Sequence, residues 1–285
     1  MQSTAKITRA QELIASSRII KAQQRLHDAT PYARELTTAV EAVVSRSEQI
    51  DHPLTRPVTS PRRAATLILT SDRGFCGGFN ANVLREAQGL RALLDSQRIE
   101  PASFVAGRKG ISWHRFRNRE MAADWSGFSD MPRQANAAEI TEVLLDAYER
   151  PAAEGGVDQI YIVYTEFVTM LTQRSVVHRL LPLEIQETSE EAGPMPSYEF
   201  EPSPEEVLNA LLPWYIESRI FQALLESAAS EIAARRRAMK SATDNANELI
   251  EKLSREANKA RQAEITQEIS EIVGGANALA DASRE

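Results

Sequence analysis

From Trp214 to Val273 the chain runs for 60 residues without a glycine or a proline. Those two residues interrupt helices more strongly than any others, so the stretch predicts one unbroken helix. At about 1.5 Å per residue it would extend roughly 90 Å. That exceeds the diameter of a small domain, so part of it must project. The apolar pattern agrees. Met239, Ala242, Ala246, Leu249, Leu253, Ala257 and Ala260 step by 3, 4, 3, 4, 4 and 3. After a small phase shift, Ile265, Ile269, Ile272, Ala276 and Leu279 step by 4, 3, 4 and 3. This is the seam of a coiled coil. Its many alanines allow close approach of a partner helix, and a long helix needs one, because most of its stability comes from packing.

The other end of the chain offers that partner. Residues 3–50 are rich in helix formers and lack glycine. Ile7, Ala10, Ile14 and Ser17 form a stripe that Leu13 and Ile20 broaden and that Leu36, Val40 and Val43 resume. Pro31 interrupts the ladder and can kink or restart the helix. The expected architecture is an antiparallel coiled coil of terminal helices with a domain inserted between them.

The middle alternates between strand and helix. Ala64–Thr70, Pro101–Ala106, Val157–Thr165 and Val176–Pro182 read as strands. Ala81–Asp95, residues 108–118 and Ala135–Tyr148 read as helices. Such alternation predicts an open, largely parallel α/β sheet of Rossmann-like type. Ten of the 12 glycines lie between Gly74 and Gly193, which sets this region apart from both ends. The expected division is a helix over 1–55, an α/β domain over 62–187, an acidic proline-rich connector over 188–204 and a helix over 205–285.

Composition removes several function classes. A net charge of −7 makes a poor bulk binder of nucleic acid or anionic lipid. One cysteine, Cys76, excludes a disulfide framework, and the four histidines show no ligand spacing. No run approaches the roughly 18 apolar residues of a membrane span. The stretch after Met1 is polar, unlike a secretory signal.

One local motif could carry chemistry. Ser71-Asp72-Arg73-Gly74-Phe75-Cys76-Gly77-Gly78-Phe79-Asn80 follows a strand and opens a helix, where backbone N–H groups can face a phosphate. It matches neither glycine fingerprint of nucleotide sites, and Asp72 would repel an anion. A tight turn or an interaction loop is the better reading. Cys76 has no histidine beside it in sequence, so His114 or His178 would have to reach it through the fold. The run Arg235-Arg236-Arg237 with Lys240 is either a solvated collar or a contact for an acidic partner. Gly274-Gly275 costs the helix about 1 kcal/mol per glycine and implies a close backbone approach, fraying or a thin tip.

Several separated stretches carry a family resemblance. Ile265-Thr266-Gln267-Glu268-Ile269-Ser270-Glu271-Ile272-Val273-Gly274-Gly275-Ala276 is the most specific. Ala238–Ala246, Asn258–Ala263, the SDRGFCGGFN loop, Tyr164–Phe167 before Leu171–Gln173, and Lys6–Ala15 follow the same order. With these the chain resembles the gamma subunit of the F-type ATP synthase, the rotating central shaft. The resemblance runs end to end and is weakest between about residues 95 and 155.

That resemblance implies a non-catalytic rotor subunit with no cofactor, metal or active site of its own. The shaft would pass torque between the proton-driven membrane c-ring and a catalytic hexamer of alpha and beta subunits, with the epsilon subunit beside it. No nucleic acid and no direct membrane insertion are implied. The location would be peripheral, on the cytoplasmic face of the bacterial cell membrane. Residue by residue, Arg261 and Gln262 match a polar catch on the catalytic subunits. The loop around Cys76 matches one facing an acidic lever of the beta subunit, which gives Arg73 and Arg9 partners. Arg235 and Lys240 match a basic collar, and Ile269 and Ile272 lie in the tip held by the hexamer's bearing. The family's opening helix usually carries several basic turns ahead of the segment matched by Lys6-Ile7-Thr8. Here Met1 falls almost in mid-helix, so a shortened foot and a start lying upstream are both open. Two other readings stand beside the shaft: a stand-alone α/β nucleotide-binding enzyme and a coiled-coil scaffold.

Overall fold

The computed structural model describes residues 1–45, 60–151, 154–183, 201 and 203–282. Most of the expected connector at 188–204, and residues 46–55 of the expected first helix, lie outside these.

Helix α1 covers Gln2–Ser45 and continues through Pro31. Beside the missing N–H of Pro31, the Thr30 hydroxyl donates to the Leu26 carbonyl at 2.7 Å. Helix α5 covers Pro204–Ala282, 79 residues. It starts ten residues before the glycine- and proline-free stretch and runs through Pro213 and both glycines near its end. The Ser203 hydroxyl caps its start by accepting from the Glu206 N–H at 3.3 Å. Glu205 and Glu206 sit in the first turn, where the helix dipole favours negative charge. An interior proline costs a helix about 3 kcal/mol. Leu208, Leu212 and Ile216 flank Pro213 and are fully buried. Each contributes roughly 1.5–3 kcal/mol by burial, so packing outweighs the break.

Between these helices lie β1 (Arg63–Leu69), α2 (Phe79–Ser96), β2 (Glu100–Ala106), α3 (Arg108–Phe116), β3 (Ala123–Trp125), α4 (Gln134–Glu149), β4 (Gln159–Phe167) and β5 (Gln173–Leu181). The sheet order is β3-β2-β1-β4-β5. The first four strands pair in parallel, and β5 returns antiparallel on β4. β3 was not expected, because three residues are too few to show an alternating pattern. The alternation of β1 sorts its side chains between two cores. Ala65, Leu67 and Leu69 join the core formed with α4 and the early part of α5, which also holds Val40 and Val43 of α1. Ala64 and Ile68 face the core formed with α2 and α3.

The chain divides into two compact units, Leu13–Ala238 and Met1–Glu12 with Met239–Glu285. In the larger unit α1 and α5 run antiparallel. Ala15 and Ile19 of α1 share a core with Ala229, Ile232 and Ala233 of α5. In the smaller unit Ala5, Glu12, Met239, Thr243 and Ala246 are buried, and the hydroxyls of Thr8 and Thr243 lie 2.7 Å apart. The expected pairing of helices therefore holds, but its extent is corrected. Every described side chain from residue 251 to 276 is exposed, so the seam from Leu253 onwards has no cover among the described residues. Near Gly274 and Gly275 an added Cβ would meet open space, which removes a close approach within this chain as the reason for them.

Candidate functional site

The carboxyl edge of a parallel sheet is where α/β folds bind ligands. Here that edge is filled by the chain itself. After β1 the loop 70–78 turns back over the strand ends. The Asp72 carboxylate accepts from the N–H groups of Arg108 (3.1 Å), Gly127 (2.8 Å) and Ser129 (3.0 Å). These are the loops that follow β2 and β3. The side chain occupies the place a phosphate would take, with the N-terminus of α3 directed at it. The repulsion expected between Asp72 and an anionic ligand is thus a built-in occupancy.

The rest of the loop is held from inside. Asn80 accepts from the Ser71 N–H at 2.9 Å and donates to the Ser71 hydroxyl at 2.8 Å and to the Cys76 sulfur at 3.2 Å. Cys76 is 2% exposed and shares a small core with Phe79 and Ala234. Burial pushes its thiol pKa up, against its use as a nucleophile. His114 donates from Nδ1 to the Gly110 carbonyl at 2.9 Å, and the His178 ring lies tilted beside that of Tyr164. Neither histidine is hydrogen-bonded to Cys76 among the described residues. Gly77 has φ +58°, and a Cβ there would lie 3.7 Å from that of Ala238, so the loop rests on α5. Its outward residue is Phe75, 82% exposed at φ 60°.

The arginine run is neither a solvated collar nor a free contact surface. Arg235 is 14% exposed and pairs with Glu231, 1% exposed, at 2.6 Å. The same guanidinium donates to the carbonyls of Arg73 (3.3 Å) and Gly74 (3.5 Å). Arg236 donates to the Ser16 hydroxyl of α1 at 3.0 Å. Arg237 donates to the Leu171 carbonyl and to Gln173 Oε1, in the β4–β5 turn. Three consecutive residues of one helix thus reach three elements, since successive side chains point about 100° apart. Burial raises the Glu231 pKa, and the Arg235 charge opposes that rise. Lys240 is exposed, as Arg237 is, but its partner lies on its own helix: Asp244, 3.6 Å away and one turn on.

Beside this junction lies a cavity of about 360 Å³ with Leu225, Ala228 and Ile232 of α5 on its wall and Arg18, Lys21, Arg25 and Arg73 around it. One carboxylate, Asp130, serves both Arg18 (2.9 Å) and Arg73 (3.8 Å). The site is net positive.

The predicted residues are thus scattered. Arg73, Cys76 and Arg235 meet at one junction. Arg9 and Lys240 belong to the smaller unit, where Arg9 pairs with Glu12 at 2.8 Å. Arg261, Gln262, Ile269 and Ile272 are exposed along α5, and Ile272 is 70% exposed. Sequence reasoning missed Glu231, Phe75 and the cations Arg18, Lys21 and Arg25. The i,i+4 spacing of Glu231 and Arg235 was a visible signal, but their burial was not.

The sequence profile of the ATP synthase family, described as "ATP synthase", matches residues 1–279. The ATP synthase gamma chain of Acidothermus cellulolyticus is 55% identical over 281 residues, covering 98% of this chain and 93% of that one. The gamma chain of Streptomyces coelicolor is 55% identical over 285 residues, with 99% and 93% covered. The fold resembles a chain in the central stalk and c-ring structure of the Tetrahymena thermophila mitochondrial ATP synthase. The TM-score is 0.61 at 22% identity, with 83% of this chain and 99% of that one covered. A chain of the Euglena gracilis mitochondrial ATP synthase gives a TM-score of 0.60 at 17% identity, with 95% and 97% covered.

Proposed function

Since the chain belongs to the ATP synthase gamma-chain family, we propose that it works as the central rotor shaft of that enzyme. It transmits torque between the proton-driven membrane ring and the catalytic hexamer, in ATP synthesis or hydrolysis. The observation that carries this reading is the open seam of α5. Ile265, Ile269 and Ile272 stand exposed on one face of a helix, and an apolar stripe on a projecting helix calls for a sleeve. A ring of alternating alpha and beta subunits is that sleeve.

The residues then divide the work. Ile269 and Ile272 turn within the bearing, and Gly274 and Gly275 keep the tip thin. Arg261 and Gln262 form the polar catch against the catalytic subunits. The exposed Phe75 and Arg73 face the acidic lever of the beta subunit, and the positive cavity beside Arg73 supports an acidic partner there. Arg9 and Lys240 add charge to the shaft, whereas Cys76 and Arg235 act from within by holding the loop. The epsilon subunit and the c-ring are further partners of the shaft. No helix among the described residues is long and apolar enough to cross a membrane. The subunit is peripheral, on the cytoplasmic face of the bacterial membrane. A stand-alone enzyme is the weaker reading, because Asp72 fills the N–H cluster at the sheet edge.

The test is native mass spectrometry of the tagged chain drawn gently from its own cells. One copy with a ring of two larger nucleotide-binding subunits is expected. A monomer or homo-oligomer would overturn the shaft. In the assembled enzyme, Arg261→Ala with Gln262→Ala should lower ATP synthesis by about tenfold, the loss of roughly 1.4 kcal/mol of coupling. Unchanged synthesis would remove the pair from that role.

A further inference from the structure

The sheet face that carries α2 and α3 is opposite the one that α5 covers. At the end of α3 on that face the chain reads Trp113-His114-Arg115-Phe116-Arg117-Asn118-Arg119. Residues 108–119 hold five Lys or Arg side chains and no carboxylate, in a chain whose net charge is −7. Phe116 is 84% exposed. Trp113 is half-buried and takes two guanidiniums, with Arg117 Cζ 4.3 Å and Arg119 Cζ 4.9 Å from its ring. Asn118 has φ 51°, a left-handed turn that asparagine tolerates well. That turn lets both neighbours fold onto the same indole.

The charge is only partly neutralised. Arg115 leans on Asp124 at 3.6 Å and Arg91 of α2 on Asp95 at 3.8 Å. Glu120 follows in sequence. Arg117 and Arg119 have no carboxylate within ion-pair distance among the described residues. Desolvation and then the charges of Arg91 and Arg117 lower the Arg119 pKa, and Asp95 opposes that fall less strongly, so like charges outweigh the nearby carboxylate there. Each guanidinium gains from the indole, but the pair repels, and an incoming anion relieves that repulsion.

We propose that the end of α3 is a docking surface for a protein partner with carboxylates set around an apolar seat for Phe116. Arginine and aromatic residues are the side chains that most often carry interface energy. The cleft between α2 and α3 holds about 10 Å³, room for one water, so a small-molecule ligand does not fit. A lone phenylalanine is too little apolar surface for a lipid bilayer, where several such residues are needed. The site lies apart from every residue assigned above to the shaft's contacts, and the proposal rests on the shaft reading only for where the partner is sought.

The experiment replaces Phe116 in the full chain with a benzophenone amino acid, expressed in its own cells. The complex is purified, irradiated and digested, and the adducts are read by mass spectrometry. A single protein adduct in a peptide rich in Asp or Glu is expected. Its yield should fall by about tenfold or more when Arg117→Glu and Arg119→Glu are added, the size of a hot-spot loss. Adducts to lipid, no adduct, or a yield indifferent to charge reversal would each overturn the proposal. Thermal unfolding of the variants checks their folding, and Arg117→Gln with Arg119→Gln replaces any that fail. Native mass spectra of the same sample read the shaft separately. Normal assembly without the adduct defeats only the docking surface, and an adduct without the hexamer defeats only the shaft.

Discussion

Two stretches of the same helix meet opposite fates. Along Leu208–Ala234, α5 buries Leu208, Leu212, Ile216 and Ile220 completely and keeps even Ser230 and Glu231 from water. From Leu253 onwards it shows an equally regular apolar stripe to solvent. Both stretches have the helical period, and both carry alanine and isoleucine. What differs is the cover. The first is covered by α1 and the sheet of this chain, and the second awaits another protein. An apolar stripe therefore says that a partner exists and leaves open whether the chain itself supplies it.

The comparison breaks most sharply at the buried ion pair. Glu231→Ala leaves the Arg235 guanidinium buried without its carboxylate. Losing one member of such a pair costs about 3–5 kcal/mol, readable as a lower urea midpoint for the isolated chain. Lowered ATP-driven proton pumping relative to ATP hydrolysis is also expected in the assembled enzyme, because the 73–74 loop loses its tie to α5. A midpoint unchanged from wild type would mean that the pair is not a stabilising tie.

A matched pair of truncations sharpens the contrast. Leu212→Ala removes a fully buried side chain and should destabilise the isolated chain by about 2–5 kcal/mol. Ile269→Ala removes an exposed one and should stay within about 0.5 kcal/mol. In the assembled complex the order of interest reverses, and Ile269→Ala should shorten the time the complex survives dilution. Equal urea midpoints for the two variants would contradict the division of α5.

Two histidines of the larger unit should make it weaker in acid, against the opposite trend of Glu231, whose pKa is raised. Burial lowers the pKa of His114 and of His178 below the ordinary 6.5. A depressed histidine pKa means that the folded state favours the neutral ring. The stability it contributes is full above the unfolded pKa and is lost as pH falls through the folded value. Urea midpoints measured downward from about pH 7 should drop, and drop less in His114→Gln. An identical slope in that variant would show that the fall comes from other groups. The smallest effect belongs to Lys240, the member of the basic group whose ion pair stays within its own helix and open to solvent. Lys240→Ala should change stability by less than about 0.5 kcal/mol, checked by the same urea titration.

How legible was all this? The long helices, the four longer strands and the three shorter helices can be read from period and punctuation, with ends displaced by a few residues. β3 was invisible because its three residues pair only through β2. The antiparallel return of β5 was equally hidden, because strand direction depends on which neighbour is met. The candidate site was half visible. The loop at 71–80 and the arginine run stood out, but nothing in their residue types told a free cation from a buried one. Asp72 looked like an obstacle to anion binding and proved to be the occupant of the anion's place.

The sequence by itself determined the rod, its seam and the inserted α/β unit, because helical period, strand alternation and glycine placement act over neighbouring residues. It also carried the family, through stretches such as Ile265–Ala276. Only the tertiary structure decided that Arg235, Arg236 and Arg237 are spent on three elements of their own chain, and that Arg117 and Arg119 converge on Trp113 beside an exposed Phe116. The physical reason is the same in both places. A charged side chain is defined by what stands within a few ångströms of it, and that neighbourhood is assembled from residues far apart in sequence.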